Sequence, residues 1–299
     1  MLNTQLPHTW TKWIEENLAK GCTIESIIQI MITNGYAPTV AAQAVRALQQ
    51  QRNGPVNVAT SYSSNLSVNT SSLKGQHNSY NYEQPRIHTD VNYIDTSDKR
   101  VYIGMRIEKP IIMTLDNLFS HAEVDQLIEI TKHKLTESKV VDPITGQETK
   151  IRDRKSEGAF FQVMENDFIA VLDKRIAEVM CWPVINGEGL QILHYQPGGE
   201  YKAHFDYFPY DHSGSKIHLA KGGQRVSTLI IYLSEVEQGG ETTFPEIGLS
   251  IIPKKGSAVY FEYCNSKGEL DPLTLHAGNP VIKGEKWIAT KWMRQNQYK

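Results

Sequence analysis

Apolar residues recur at helical spacing between residues 9 and 51. Trp10, Trp13, Ile14 and Leu18 make one stripe. Ile24, Ile27, Ile28, Met31 and Ile32 make a second, behind a Thr23 cap and ahead of Gly35. Pro38-Thr39 opens a third, carried by Val40, Ala41, Ala44, Val45 and Leu48. Three helices of this length can close a small core, so the pattern predicts a helical module over residues 1–52. It reads either as a module that binds a partner or dimerises, or as a cap on the main domain. The periodicity then stops. Between Asn57 and Tyr82, 14 of 26 residues are Ser, Asn or Thr. Such a segment buries too little apolar surface to offset its ordering entropy, which predicts a flexible linker over residues 53–100.

The chain turns globular near Tyr102, and residues 101–299 read as the main domain. Pro110–Leu115 reads as a strand. Ser120 and Glu123 have capping-box spacing, and Phe119 with Val124 makes a hydrophobic staple ahead of a helix buried through Val124, Leu127, Ile128 and Leu135. Asp142–Asp153 reads as a polar loop. A second helix is expected from Asp167 to Met180, with Phe168, Ile169, Leu172, Ile176 and Val179 inward. Short strands follow: Leu190–Tyr195, Tyr201–Phe208, Val226–Leu233, Glu241–Phe244, Ala258–Phe261, Thr274–Ala277 and Trp287–Met293, with Gly-Gly turns at 198–199 and 239–240. The predicted class is α+β, mainly β: a sandwich or barrel with helices on one side.

Composition narrows the function classes. Net charge is −2, so no whole-chain field favours nucleic acid or an anionic membrane. No apolar run is long enough for a transmembrane helix. Met1–Lys20 lacks an apolar signal core, and Cys22, Cys181 and Cys264 are widely spaced and odd in number. These features lead to the expectation of a cytoplasmic protein with reduced, buried thiols.

The candidate chemistry begins in Tyr201–Phe208. Read as a strand, this stretch sends His204 and Asp206 from one face, as two ligands of one metal require. The spacing is weak alone, and His88-Thr89-Asp90 repeats it inside the linker, where it reads as solvated chain. His276 adds a second imidazole from a later strand. Two imidazoles and one carboxylate are the ligand set of non-haem Fe(II) oxygenases, which leaves three positions open. Lys286 shares its strand face with Ile288, Thr290 and Trp292, so it points into the barrel. A buried ammonium needs a partner, and a carboxylate co-substrate would supply one.

On these residues the chain resembles the 2-oxoglutarate/Fe(II) dioxygenases. The motifs are His204-Phe205-Asp206, His276-Ala277-Gly278-Asn279-Pro280-Val281 and Gly284-Glu285-Lys286-Trp287. The prolyl 4-hydroxylase catalytic domain is the nearer likeness, over about residues 106–295. It is carried by Leu190–Tyr195, Gly198-Gly199, Arg225, Tyr232-Leu233-Ser234, Gly239–Pro245 and Ser156–Phe160. The helical module loosely resembles a ubiquitin-associated-type bundle, in pattern only.

The resemblance implies a double-stranded β-helix (jelly-roll) with Fe(II) on His204, Asp206 and His276. It implies 2-oxoglutarate held by Lys286 and Tyr195, O2 as second co-substrate, and L-ascorbate as a further cofactor. The activity implied is hydroxylation of a peptidyl proline with release of succinate and CO2, as in procollagen-proline 4-dioxygenases. Tyr207, Arg225 and Trp292 are candidates for contacting the peptide. Asp206 is a carboxylate, so no position is vacated for a halide. The alternatives are the same chemistry on another side chain or a small molecule, or a non-catalytic binding protein that uses the barrel as a scaffold.

Overall fold

The computed structural model describes residues 8–19, 24–33, 36, 38–53, 80–137, 140–141, 148–149 and 156–299. The chain falls into two compact units, Met1–Gly75 and Gln76–Lys299.

Helices His8–Ala19, Ile24–Thr33 and Pro38–Asn53 build the first unit. Ile14, Ile27, Met31, Ala41 and Val45 are its buried core, drawn from all three expected stripes. Thr23, Gly35, the side chain of Trp13, residues 54–79 of the expected linker and most of the loop at 142–153 lie outside the described residues.

Residues 80–100 correct the linker boundary, because they are part of the second unit. The Arg86 backbone N–H donates to Glu262 at 2.8 Å, and its guanidinium donates to the Cys264 carbonyl at 3.0 Å. Asn81 donates to Glu269, and Asp98 accepts from Arg175. Tyr93–Asp95 pairs with Arg100–Glu108. Apolar content is low here, as the composition says. Ile87, buried in the main core, and polar bonds to partners 77 to 188 positions away hold the segment, and local pattern cannot reveal those contacts.

Two antiparallel sheets form the barrel of the second unit. The larger has the order Tyr93–Asp95, Arg100–Glu108, Ile111–Asp116, Ala258–Glu262, Arg225–Tyr232, Lys286–Arg294, Leu190–Tyr195, Glu157–Phe161, Thr136–Glu137. The smaller has the order Leu249–Ile251, Thr242–Phe244, His276–Gly278, Tyr201–His204. From Leu190 onward the chain alternates between them: larger, smaller, larger, twice smaller, larger, smaller, larger. That winding is a double-stranded β-helix. Gly239 (φ 76°) and Gly240 (φ 73°) make the turn before Thr242; a Cβ on Gly239 would lie 2.3 Å from the Pro280 carbonyl.

Helices His121–Lys132 and Asp167–Val179 pack their buried faces into the same core as the larger sheet. The first has the expected capping box, with Ser120 N–H donating to Glu123 and Glu123 N–H to Ser120 Oγ. The second is capped by Asn166, which accepts from the Ile169 N–H at 3.0 Å. Cross-strand register decides which side chains enter the barrel. Lys286 stands opposite Tyr195, Ile288 opposite Leu193, and Thr290 opposite Gln191. All six line the interior cavity. The alternate residue Lys291 points the other way, to Asp173 of the second helix at 2.7 Å.

Candidate metal centre and co-substrate pocket

His276 stands directly opposite His204 in the smaller sheet, and their ring centroids are 4.4 Å apart. The expected strand at 201–208 is shorter in the structure. It ends at His204, and Asp206 sits in the bend that follows. The bend still delivers the carboxylate: Oδ1 lies 3.6 Å from His204 Nε2 and Oδ2 3.6 Å from His276 Nε2. Among the described residues these three form the one His/Cys/Asp/Glu group able to hold a metal, with their ligand atoms within 4.8 Å of one another. His88 and Asp90 are not part of such a group.

Both imidazoles are fixed from behind. His204 Nδ1 lies 2.8 Å from the Lys202 carbonyl and His276 Nδ1 lies 3.0 Å from the Thr274 carbonyl. A carbonyl only accepts, so Nδ1 carries the proton and the Nε2 lone pair faces the centre. Burial pushes the His276 pKa down to about 4, helped by His204, which keeps the ring neutral as a ligand must be. Burial alone would raise the Asp206 pKa. Its neighbours His276, His204 and the Arg225 guanidinium outweigh that and hold the carboxyl well below its usual range.

A cavity of about 940 Å3 opens over the three ligands. It brings together the residues that the resemblance implies for the site: Tyr195, His204, Asp206, Tyr207, Arg225, His276, Lys286 and Trp292. Lys286 is 3% exposed and, among the described residues, has no hydrogen-bond or ion-pair partner. Burial pushes its pKa down to about 8, against the weaker pull of Glu241. Thr242 also lines this end of the cavity and is buried. Sequence reading passed over it, although it lies within Gly239–Pro245; its pairing with Gly278, two residues past His276, places it here.

Arg225 and Trp292 are built as a wall. Arg225 donates to both oxygens of Glu188, at 2.6 and 2.9 Å, and its guanidinium lies 3.9 Å from the Trp292 ring centroid. Trp292 Nε1 is a buried donor with no partner among the described residues. Tyr207 is half-buried and stacks on Phe205 at 4.6 Å. Cys264 is buried, Cys181 is exposed, against expectation, and Cys22 lies outside the described residues.

A jelly-roll barrel with two imidazoles and one carboxylate at a deep cavity defines a class, the mononuclear non-haem iron oxygenases. Residues 190–294 match the 2OG-Fe(II) oxygenase superfamily. Prolyl 4-hydroxylase 5 of Arabidopsis thaliana is 38% identical over 210 residues, covering 64% of this chain and 70% of the relative. Probable prolyl 4-hydroxylase 3 of the same plant is 39% identical over 210 residues, covering 64% and 71%. Among solved structures, the viral collagen prolyl hydroxylase of Paramecium Bursaria Chlorella virus-1, in complex with 2OG, is 33% identical; it matches 61% of this chain and 95% of its own, with a TM-score of 0.48. This chain belongs to the prolyl 4-hydroxylase family of 2-oxoglutarate/Fe(II)-dependent dioxygenases. Fe(II) and 2-oxoglutarate are accordingly its metal and co-substrate, and the residues present fit both: two imidazoles with Nε2 turned to the centre, a carboxylate between them and a buried lysine with no hydrogen-bonded or ion-paired partner among the described residues.

Proposed function

We propose that this protein hydroxylates proline within a peptide, with His204, Asp206 and His276 as the iron ligands. The observation that carries the reading is Lys286. A cation buried at the floor of the ligand cavity, without a protein carboxylate, is suited to the distal carboxylate of 2-oxoglutarate. Tyr195 and Thr242 flank it as hydroxyl partners for the same carboxylate.

Bound together, iron and 2-oxoglutarate supply oxidative decarboxylation: one atom of O2 enters succinate, CO2 leaves, and the other atom becomes the substrate hydroxyl. The chain's own part is placement. The two Nε2 atoms and Asp206 would hold the metal from one side of the cavity and leave the rest of its surroundings to reactants. Burial of Lys286, Thr242 and Tyr195 keeps water from the co-substrate. Tyr207, Arg225 and Trp292 form the wall that receives the proline ring.

Ascorbate is the proposed reductant that keeps the metal as Fe(II). The compartment proposed is the cytoplasm, supported by Cys181 and Cys264 as free thiols. No helix among the described residues is long and apolar enough to cross a membrane. Residues 1–52, with a core of their own, are proposed as a tethered partner-binding or dimerising module.

The test is incubation with Fe(II), 2-oxoglutarate, O2 and a proline-rich peptide, followed by mass spectrometry. A gain of one oxygen atom on proline, absent when alanine replaces proline, is expected. Hydroxylation of a different side chain would overturn the assigned substrate and leave the chemistry.

A further inference from the structure

Asp206 lies past the end of its strand, so no sheet register sets the direction of its carboxylate. Two contacts from the larger sheet hold the residue instead, one at its backbone and one at its carboxylate. Arg225 donates to the Asp206 backbone carbonyl at 3.2 Å, and Thr228 Oγ1 donates to Asp206 Oδ2 at 2.7 Å. Thr228 Oγ1 also lies 2.9 Å from the Tyr263 hydroxyl. A threonine hydroxyl has one proton. With that proton on the carboxylate, its lone pair accepts, and Tyr263 must be the donor. The bonds therefore run one way, from Tyr263 to Thr228 to Asp206. Thr228 and Tyr263 are fully buried and neither lines the cavity, so neither is placed to touch a substrate.

We propose that Tyr263 and Thr228 are positioning residues for the metal, a directed hydroxyl pair that fixes Asp206 as a one-oxygen ligand. A carboxylate free to turn could chelate with both oxygens and fill a position that the reactants need. With Oδ2 committed to Thr228, that rotation is blocked. Each of the three ligands then has its own restraint: a backbone carbonyl behind each imidazole, and this hydroxyl pair behind the carboxylate. Outer partners of this kind are worth about 10–100-fold in metal affinity. The inference rests on the reading of Asp206 as an iron ligand.

The experiment is Mn(II) affinity, measured by electron paramagnetic resonance on the full chain, with thermal unfolding of the metal-free protein to check the fold. Thr228→Val is isosteric and lacks the hydroxyl; it should weaken Mn(II) binding about 10–100-fold. Thr228→Ser should restore wild-type affinity. Tyr263→Phe should weaken binding less than Thr228→Val does, and should add nothing when Thr228 is already valine, because the chain is serial. If Thr228→Val does not fold, Tyr263→Phe and Thr228→Ser decide alone. Wild-type affinity in Tyr263→Phe, or equal and additive losses in the two single variants, would overturn the proposal. His276→Ala is the control that separates the two failures. If it loses Mn(II) while the hydroxyl variants keep it, the positioning role is wrong. If it too keeps Mn(II), the site assignment itself falls.

Discussion

Lys286 stands directly opposite Tyr195 across the antiparallel pair Lys286–Arg294 and Leu190–Tyr195, with its ammonium 5.7 Å from the Tyr195 ring centroid. The register makes one side chain a cation and the other a hydroxyl at the same depth of the barrel. Lys286→Ala should therefore weaken 2-oxoglutarate binding by about 3 kcal/mol, roughly a hundredfold, since it strips a buried carboxylate of its partner. Mn(II) affinity should change little, because Lys286 holds no metal. Calorimetry with each ligand in turn checks the split. Unchanged 2-oxoglutarate affinity would remove Lys286 from the site.

The same lysine sets a pH dependence. Its pKa is pushed down to about 8 by burial, below the unfolded value of about 10.4. The unfolded chain binds the extra proton between those values, so this group's contribution to stability rises with pH through that window and its cost is full below pH 8. Lys286→Met should accordingly be more stable than the wild type near pH 7, by about 3 kcal/mol at most, and the gap should close toward pH 10. Binding of 2-oxoglutarate runs the opposite way. It requires the charged ammonium, so its dissociation constant should be flat below about pH 8 and rise toward tenfold per unit above it. Denaturant unfolding and titrations at several pH values check both, and a flat binding profile to pH 9.5 would contradict the assignment.

His276→Ala removes one imidazole and leaves Asp206 buried with a neighbour fewer. Metal affinity should fall by more than the 10–100-fold typical of outer partners, and turnover should vanish with it. Circular dichroism should show the fold intact. A variant that turns over normally would sink the ligand set.

Arg86 and Glu262 fasten the segment before residue 100 to a central strand, and Glu262 is buried. Arg86→Ala leaves that carboxylate uncompensated and should cost about 3–5 kcal/mol of stability. A chain beginning at residue 101 should unfold more easily than one beginning at residue 76, even though all the ligand residues remain. Chemical denaturation of the two chains checks this; equal midpoints would show that residues 80–100 add nothing.

Much of the site was legible because strand parity is a local rule. Lys286, Ile288, Thr290 and Trp292 do share the inward face, and the alternate residue Lys291 does point out to Asp173. Parity failed where the strand stopped. Asp206 reaches the candidate metal position from a bend, where Thr228 holds its carboxylate and Arg225 its backbone carbonyl from another sheet, contacts that no window of sequence contains. Thr242 was overlooked for the same reason: only its pairing with Gly278 brings it beside the site. Residues 80–100 look like linker because their attachments, polar bonds and the lone core residue Ile87, are to distant parts of the chain. In the fold, apolar periodicity and the Ser120 capping box located the helices, while the order in which strands alternate between sheets is a long-range property that periodicity does not encode.

The most direct single measurement is the ratio of succinate formed to peptide hydroxylated, in a reaction loaded with Fe(II) and 2-oxoglutarate under anaerobic conditions and started with O2. Little succinate is expected without peptide, with strong stimulation by a proline-rich peptide and a ratio near one. Absence of succinate from protein with iron demonstrably bound would contradict the oxygenase assignment, and would leave the barrel as a binding scaffold.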